Sequence, residues 1–227
     1  MQVQLARSVD VVASFVGSGG DLEATMQELT RLSTEAVGAD MASLTIRDQR
    51  GQPTTAVVTD ETVRPIDQAQ YDHGRGPCLD AARTHVRLRV DDTHHDPRWP
   101  EFAEMARSHR IRSSLSVPLV VGDEGLGSLN LYDTRRAFFE SDRRQRIGDV
   151  FAGQCAITAQ FWTVAREATN LAAALQSRAS IEQAKGVIMA TTGCGPDDAF
   201  ELLREQSQKE NRKLRDIAAE IVARQRR

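Results

Sequence analysis

The sequence predicts an α+β protein: a mainly antiparallel sheet with flanking helices, then one long helix leading into a small helical bundle. Three observations carry this. Polar and apolar residues alternate in several short segments before residue 133, the period of half-buried strands. Between and after them, apolar residues recur every three or four positions, the period of helices. From Ser141 to Thr192 there is no proline, and the only glycines are Gly148, Gly153 and Gly186.

Each element follows in order. Residues 1–20 form an N-terminal segment with no assigned element. In DLEATMQELTRLSTEAVGAD, Leu22, Met26, Leu29, Leu32, Ala36 and Val37 fall at helical intervals, with Asp21 as N-cap and Gly38 as stop. MASLTIRD then alternates, and QRGQ offers a turn before TTAVVTD, which together predict a hairpin. The polar stretch QYDHGRGPCLDAARTH is read as a loop with a short helix, ending in the brief alternation VRLRVDD. RWPEFAEMARSHRI predicts a helix, and SSLSVPLVV and GLGSLNLYD predict two strands joined at GDEG.

Beyond Ser141, Ile147, Val150, Ile157, Phe161, Val164, Ala168, Leu171 and Leu175 keep a 3–4 spacing for about four heptads, with Gln154 as the exception. A continuous helix over this stretch would run about 78 Å, which a single compact domain has no use for. A two-chain coiled coil does, so a homodimer is expected, with Ile157, Phe161, Val164, Ala168, Leu171 and Leu175 on its seam. After TGCG, Pro196 opens a helix with Asp197 and Asp198 in its first turn. Phe200 is read as core from its spacing with Leu203. Asn211 is read as the N-cap of RKLRDIAAEIVARQ, whose Leu214, Ile217, Ala218, Ile221 and Val222 form one stripe.

Composition is ordinary for a soluble chain of 227 residues, 40% hydrophobic and 27% charged. No run of 18 apolar residues is present, and Arg7 and Asp10 interrupt the N-terminus too early for a secretory signal. Cys78, Cys155 and Cys194 show no paired spacing, so a reducing, cytoplasmic location is expected. Net charge is −3, yet residues 178–227 carry ten basic against eight acidic side chains and all three lysines. That mild excess is a weak signal for nucleic acid on its own.

The C-terminal segments SRASIEQAKGVIMATTG, DDAFELLREQS and NRKLRDIAAEIV resemble the ANTAR domain of bacterial antitermination regulators, almost without gaps from Leu171 to Val222. The resemblance implies a three-helix module that acts as a dimer. Such a module binds nascent RNA carrying two small stem-loops with six-base loops and prevents a terminator hairpin from forming. It also implies RNA contacts at Ala184, Lys185, Gly186, Arg204, Ser207, Asn211, Arg212, Lys213 and Arg215. Basic side chains would meet phosphates, and serine and asparagine would meet base edges. Phe200 being read as core, no aromatic stacking is expected. Gly186 sits mid-helix, where glycine costs about 0.5–1 kcal/mol relative to alanine. Two explanations stand: close approach of RNA, or close packing of a neighbouring helix.

The segment from about Asp21 to Phe161 resembles a GAF domain, carried by RGPCLDA, RWPEFAEMA, SSLSVPLVV and GLGSLNLYD. This implies a sensor over 21–161, a coiled-coil and RNA-binding part over 162–227, and a ligand pocket on one sheet face. Cys78 and Tyr132 are the candidate pocket residues. No signature of cyclic-nucleotide-binding GAF domains is present, so the ligand and any cofactor stay unknown; the signal is a small molecule or an oxidant. In its Gly-Pro-Cys turn Cys78 is either a low-pKa oxidant sensor or a buried filler. His94, His95 and Asp96 suggest a metal, but neighbours in an extended loop point different ways, so no metal is assigned.

Catalytic signatures are absent: no GxSxG elbow, no phosphate loop, no HExxH. GLGSLN lies between strands and opens no helix, and nothing orients His73 toward Cys78. The reading is therefore a signal-responsive RNA-binding regulator that touches no membrane. One alternative is a DNA-binding regulator using a helix-turn-helix, disfavoured because QKE between EQS and NRKL lacks the turn glycine and because Asp216 and Glu220 face outward. The other is a sensor or dimerisation module without nucleic acid.

Overall fold

The structure, a computed structural model, describes residues 2–48 and 51–225. Contacts divide the chain into two units, residues 1–163 and 164–227. The first contains α1 (Gln2–Ser18), α2 (Leu22–Val37), β1 (Met41–Arg47), β2 (Pro53–Val58), α3 (Arg64–His73), α4 (Pro77–Thr84), β3 (Leu88–Val90), α5 (Pro100–Ser108), β4 (Ser113–Val121) and β5 (Glu124–Asp133). The opening part of α6 (Asp142–Thr192) also belongs to it. The five strands form one antiparallel sheet in the order β2-β1-β5-β4-β3.

The predicted strands and their hairpins are present, although Gln49 and Arg50 of the QRGQ turn lie outside the described residues. Asp21 caps α2 by accepting from the Glu23 N–H, and Gly38 closes it at φ +77°. Pro118 is tolerated in β4 because β3 pairs only with residues 114–116, leaving that edge of β4 free of a partner strand further on. Gly127 is required: a Cβ there would lie 1.9 Å from the Thr45 carbonyl oxygen of the neighbouring strand.

Two helices escape the sequence pattern. In α1 the inward positions include Ser8 as well as Phe15, and Phe15 packs edge-on against Phe161 of α6 at 5.8 Å. In α3 the buried positions are Ile66, Asp67, Ala69 and Gln70, half of them polar, so no apolar stripe marks the helix.

The sheet has two unlike faces. Leu44, Val57, Leu115, Val117, Leu129 and Leu131 pack with Leu29 and Leu32 of α2 and Phe151, Ala152 and Cys155 of α6. Each such fully buried leucine contributes about 1.5–3 kcal/mol. On the opposite face, cross-strand register lines up Ser43 with Asn130, Thr45 with Ser128, and Ser114 with Tyr132. Helices α3, α4 and α5 cover that face, with α4 lying on β4 and β5.

Within unit 1, α6 is itself two-sided. Ile147 joins the core with Phe151 and Cys155, and not an outer seam, whereas Val150 and Ile157 stand exposed. The heptad reading therefore holds a core residue at its first position, and Phe161 of the predicted seam is engaged by Phe15 of its own chain.

The second unit comprises the remainder of α6, α7 (Pro196–Glu210) and α8 (Leu214–Gln225). Ala184, Leu203, Ile217 and Ala218 are fully buried, with Ile181, Ile188, Leu214, Ile221 and Val222 packed around them. Two sequence expectations change here. Phe200 is not core: Ala199 and Leu203 take the inward positions, and Phe200 remains 37% exposed. Asn211 does not cap α8; it closes α7 in the left-handed conformation, φ 51°, its N–H bonded to the carbonyls of Gln208 and Ser207. The carbonyl of Lys213 takes the first turn of α8 instead, accepting from Asp216 and Ile217.

Candidate functional site

In the helical module, packing fixes where the predicted RNA-contacting residues stand. Ala184 is the buried anchor of α6 in this unit. Beside it Lys185 lays its stem along the protein, leaving 18% of the side chain exposed, and carries its ammonium to Glu182 at 3.1 Å. Gly186 lies on the exposed side, and a Cβ built on it meets nothing within 4 Å. That removes one explanation for the glycine, since no neighbouring helix occupies the space a Cβ would take.

The α7–α8 corner is held by Ser207, whose hydroxyl donates to the Arg212 carbonyl at 2.5 Å while the Arg212 N–H returns a bond to the Ser207 carbonyl at 3.1 Å. Most of the predicted cations already have exposed acidic partners. Arg204 pairs with Glu201 at 2.7 Å, Arg212 with Glu210 and Glu220 at 2.8 and 2.9 Å, and Arg215 lies 3.5 Å from Asp216. Such exposed pairs are worth about 0–1 kcal/mol, so a phosphate can displace the carboxylates at small cost. Among the described residues the Lys213 ammonium has no partner. Along α6, Val164, Ala168, Leu171 and Leu175 are all exposed in this single chain, Leu171 at 62%.

In the first unit, Tyr132 and Cys78 share the polar sheet face. The Tyr132 hydroxyl donates to Asp67 Oδ1 at 2.6 Å, and the Thr55 hydroxyl donates to Asp67 Oδ2 at 2.9 Å. The Tyr71 hydroxyl lies 2.8 Å from that of Thr55 and 2.9 Å from that of Thr45, and the Asn130 amide donates to Ser43 and Thr45. Burial pushes the Asp67 carboxyl up to about 6 against the lowering effect of these hydroxyls. Burial likewise pushes the Cys78 thiol well up, with the nearby Asp67 charge adding to it. Cys78 is fully enclosed, which favours the buried filler over the low-pKa oxidant sensor.

Among the described residues, four buried polar atoms on this face have no hydrogen-bond partner: the hydroxyls of Ser114, Ser116 and Ser128 and Oδ1 of Asn130. Asp67, Gln70 and the serine run escaped the sequence reading. The signal was present as Ser/Thr/Asn alternation in β1, β4 and β5, but alternation by itself describes a solvent-facing side.

A separate cavity of about 970 Å³ opens on the other side of the sheet, between the α2 N-terminus, the β4–β5 turn and Ala159, Trp162 and Thr163 of α6. Neither Cys78 nor Tyr132 lines it. The His94–Asp96 loop is organised by Asp92, which accepts from the His94 N–H and from Arg112 and lies 2.9 Å from His95 Nδ1, while Asp96 is taken by Arg98. Burial raises the Asp92 carboxyl, but these donors outweigh it and hold it well below the usual carboxylate range. Among the described residues no helix is long and apolar enough to cross a membrane.

A sheet-based unit followed in sequence by a three-helix unit is a two-domain architecture, and comparison with known proteins identifies both parts as those of a signal-responsive regulator. The sequence matches the model of the GAF domain over residues 20–159 and that of the ANTAR domain over residues 169–222. The chain belongs to the GAF domain family and carries an ANTAR domain after it. No curated protein matches it.

Solved structures share the fold of the first unit. A domain of a putative two-component sensor histidine kinase from Sinorhizobium meliloti 1021 is 17% identical with TM-score 0.54, covering 65% of this chain and 98% of its own. The GAF domain of a phosphoenolpyruvate-protein phosphotransferase from Coxiella burnetii is 16% identical with TM-score 0.53, covering 73% and 98%. Free methionine-R-sulfoxide reductase from Neisseria meningitidis, solved with its substrate, is 19% identical with TM-score 0.52, covering 71% and 93%. At these identities the likeness shows fold alone.

Proposed function

We propose that this protein binds paired stem-loops in nascent transcripts as a homodimer and thereby prevents termination, under control of its GAF domain. The observation that carries the reading is Gly186. It is exposed, mid-helix, and has open space where a Cβ would stand, so no packing against the described residues offsets its cost. A glycine of this kind suits close approach from outside. Lys185 beside it supplies a positive charge, and the Ser207–Arg212 corner presents polar groups to base edges.

The exposed stripe Val164, Ala168, Leu171 and Leu175 favours a second copy of this chain as its partner. Joining two weak stem-loop sites raises the effective concentration of the second, which makes affinity depend on how the dimer holds them. For the sensor, the four unpartnered polar atoms on the α3–α4 face favour a small, polar, hydrogen-bonding ligand there.

One observation favours a second reading. The left-handed Asn211 makes a tight connection between α7 and α8 without glycine, and Glu220 is engaged by Arg212, so both sequence arguments against a DNA-binding helix-turn-helix lose force. The test is titration of the full chain with RNA bearing two adjacent six-base stem-loops and with duplex DNA of matched length. Preference for the RNA supports the proposal; equal or tighter binding to the duplex replaces it with the DNA reading.

A further inference from the structure

We infer that Phe200 is a base-stacking residue: its ring receives an unpaired loop base of the bound RNA. This rests on the RNA reading above and adds the chemistry of contact. Phe200 is 37% exposed while its neighbours Ala199 and Leu203 are fully buried, and the module's buried cluster forms without it. Nothing local calls for phenylalanine there, since it is a poorer helix former than leucine or alanine.

Position decides the partner. Phe200, Arg204, Ser207 and Asn211 are spaced four, three and four residues apart, so they lie along one flank of α7 and its cap. An aromatic ring with a guanidinium one turn further on matches a nucleotide: the ring takes the base and the guanidinium takes the phosphate. The acidic groups beside this flank are Asp197, one turn back, Glu201, and Glu210, which Arg212 holds at 2.8 Å. Glu201 holds Arg204 at 2.7 Å, and both partners of that pair are about half exposed, so the pair opens readily to a phosphate. The other exposed apolar residue of α7, Leu202, has Asp198 and Glu205 around it and no aromatic ring to offer. Stacking is also tolerant of base identity, which suits a residue that anchors splayed loops while Ser207 and Asn211 meet base edges.

The experiment titrates the full-length protein, as wild type, Phe200→Leu and Phe200→Trp, with two-stem-loop RNA carrying 2-aminopurine at each loop position in turn. Phe200→Leu is expected to weaken binding about tenfold or more and to abolish the quenching at one loop position. It should leave the slope of log affinity against log salt unchanged, because stacking releases no counterions. Phe200→Trp should retain both affinity and quenching, which also controls for folding. Wild-type affinity and quenching in Phe200→Leu would overturn the inference while leaving the RNA reading intact. A shift of Phe200→Leu toward monomer without RNA would overturn it in favour of a protein contact. No RNA binding by the wild type would overturn both.

Discussion

The Tyr132 hydroxyl donates to Asp67 across 2.6 Å beneath α3, where Asp67 is wholly buried. The groups around it are Thr55, Tyr71, Ser43 and Cys78, and the charge of Arg64, on the same helix, lowers its pKa. A carboxylate kept by hydroxyls without a close cation is costly to ionise.

That relationship sets a pH dependence. The folded carboxyl titrates at about 6 and the unfolded one at about 3.8. The folded state therefore holds its proton more tightly, and stability falls as pH rises through that window, by about 3 kcal/mol if the full shift is realised. Asp67→Asn should flatten the difference in denaturant midpoint between pH 4.5 and pH 7.5. An unchanged difference would place the titration elsewhere.

Thiol reactivity separates the three cysteines. Cys78 and Cys155 are fully buried, the latter's thiol pushed up to about 12 by burial, whereas Cys194 is partly exposed. A thiol reagent such as DTNB should label one cysteine per chain quickly in native protein, lost in Cys194→Ser, with the other two reacting on unfolding. Rapid labelling of Cys78 would restore the oxidant-sensor reading.

Gly186→Ala separates stability from function. With open space at the Cβ position, alanine should stabilise the helical module by about 0.5–1 kcal/mol. The same change should weaken paired-stem-loop binding, because the added methyl stands where the RNA approaches. Stabilisation with unaltered affinity would make the glycine incidental.

Lys213 and Lys185 differ in their present partners. Lys213→Ala should lower the steepness of the salt dependence by about 0.7–0.9, the signature of one lost phosphate contact. Lys185→Ala should do the same but also release Glu182, so its loss of affinity should be smaller at matched salt. Parallel salt plots for wild type and Lys213→Ala would remove Lys213 from the interface.

Legibility followed periodicity. The strands, α2, α5 and the C-terminal helices were readable because their inward positions are apolar. Helix α3 was not, because Asp67 and Gln70 take inward positions that apolar residues would mark. The polar strand face was visible as alternation, but only the covering helices turn Ser114, Ser116, Ser128 and Asn130 into buried groups. Asn211 and Phe200 differ from expectation for local reasons: an asparagine can close a helix as well as open one, and Phe200, though three residues before the buried Leu203, stands at the edge of that face while Ala199 takes the inward position.

The most direct measurement compares wild type and Val164→Asp on RNA with two stem-loops and on RNA with one. Val164 is 53% exposed, so the substitution strikes the proposed seam without entering a core. The account predicts a monomeric variant that keeps single-loop affinity and loses the added affinity for the pair. Equal losses on both RNAs, or a variant still dimeric with full two-loop affinity, would contradict it.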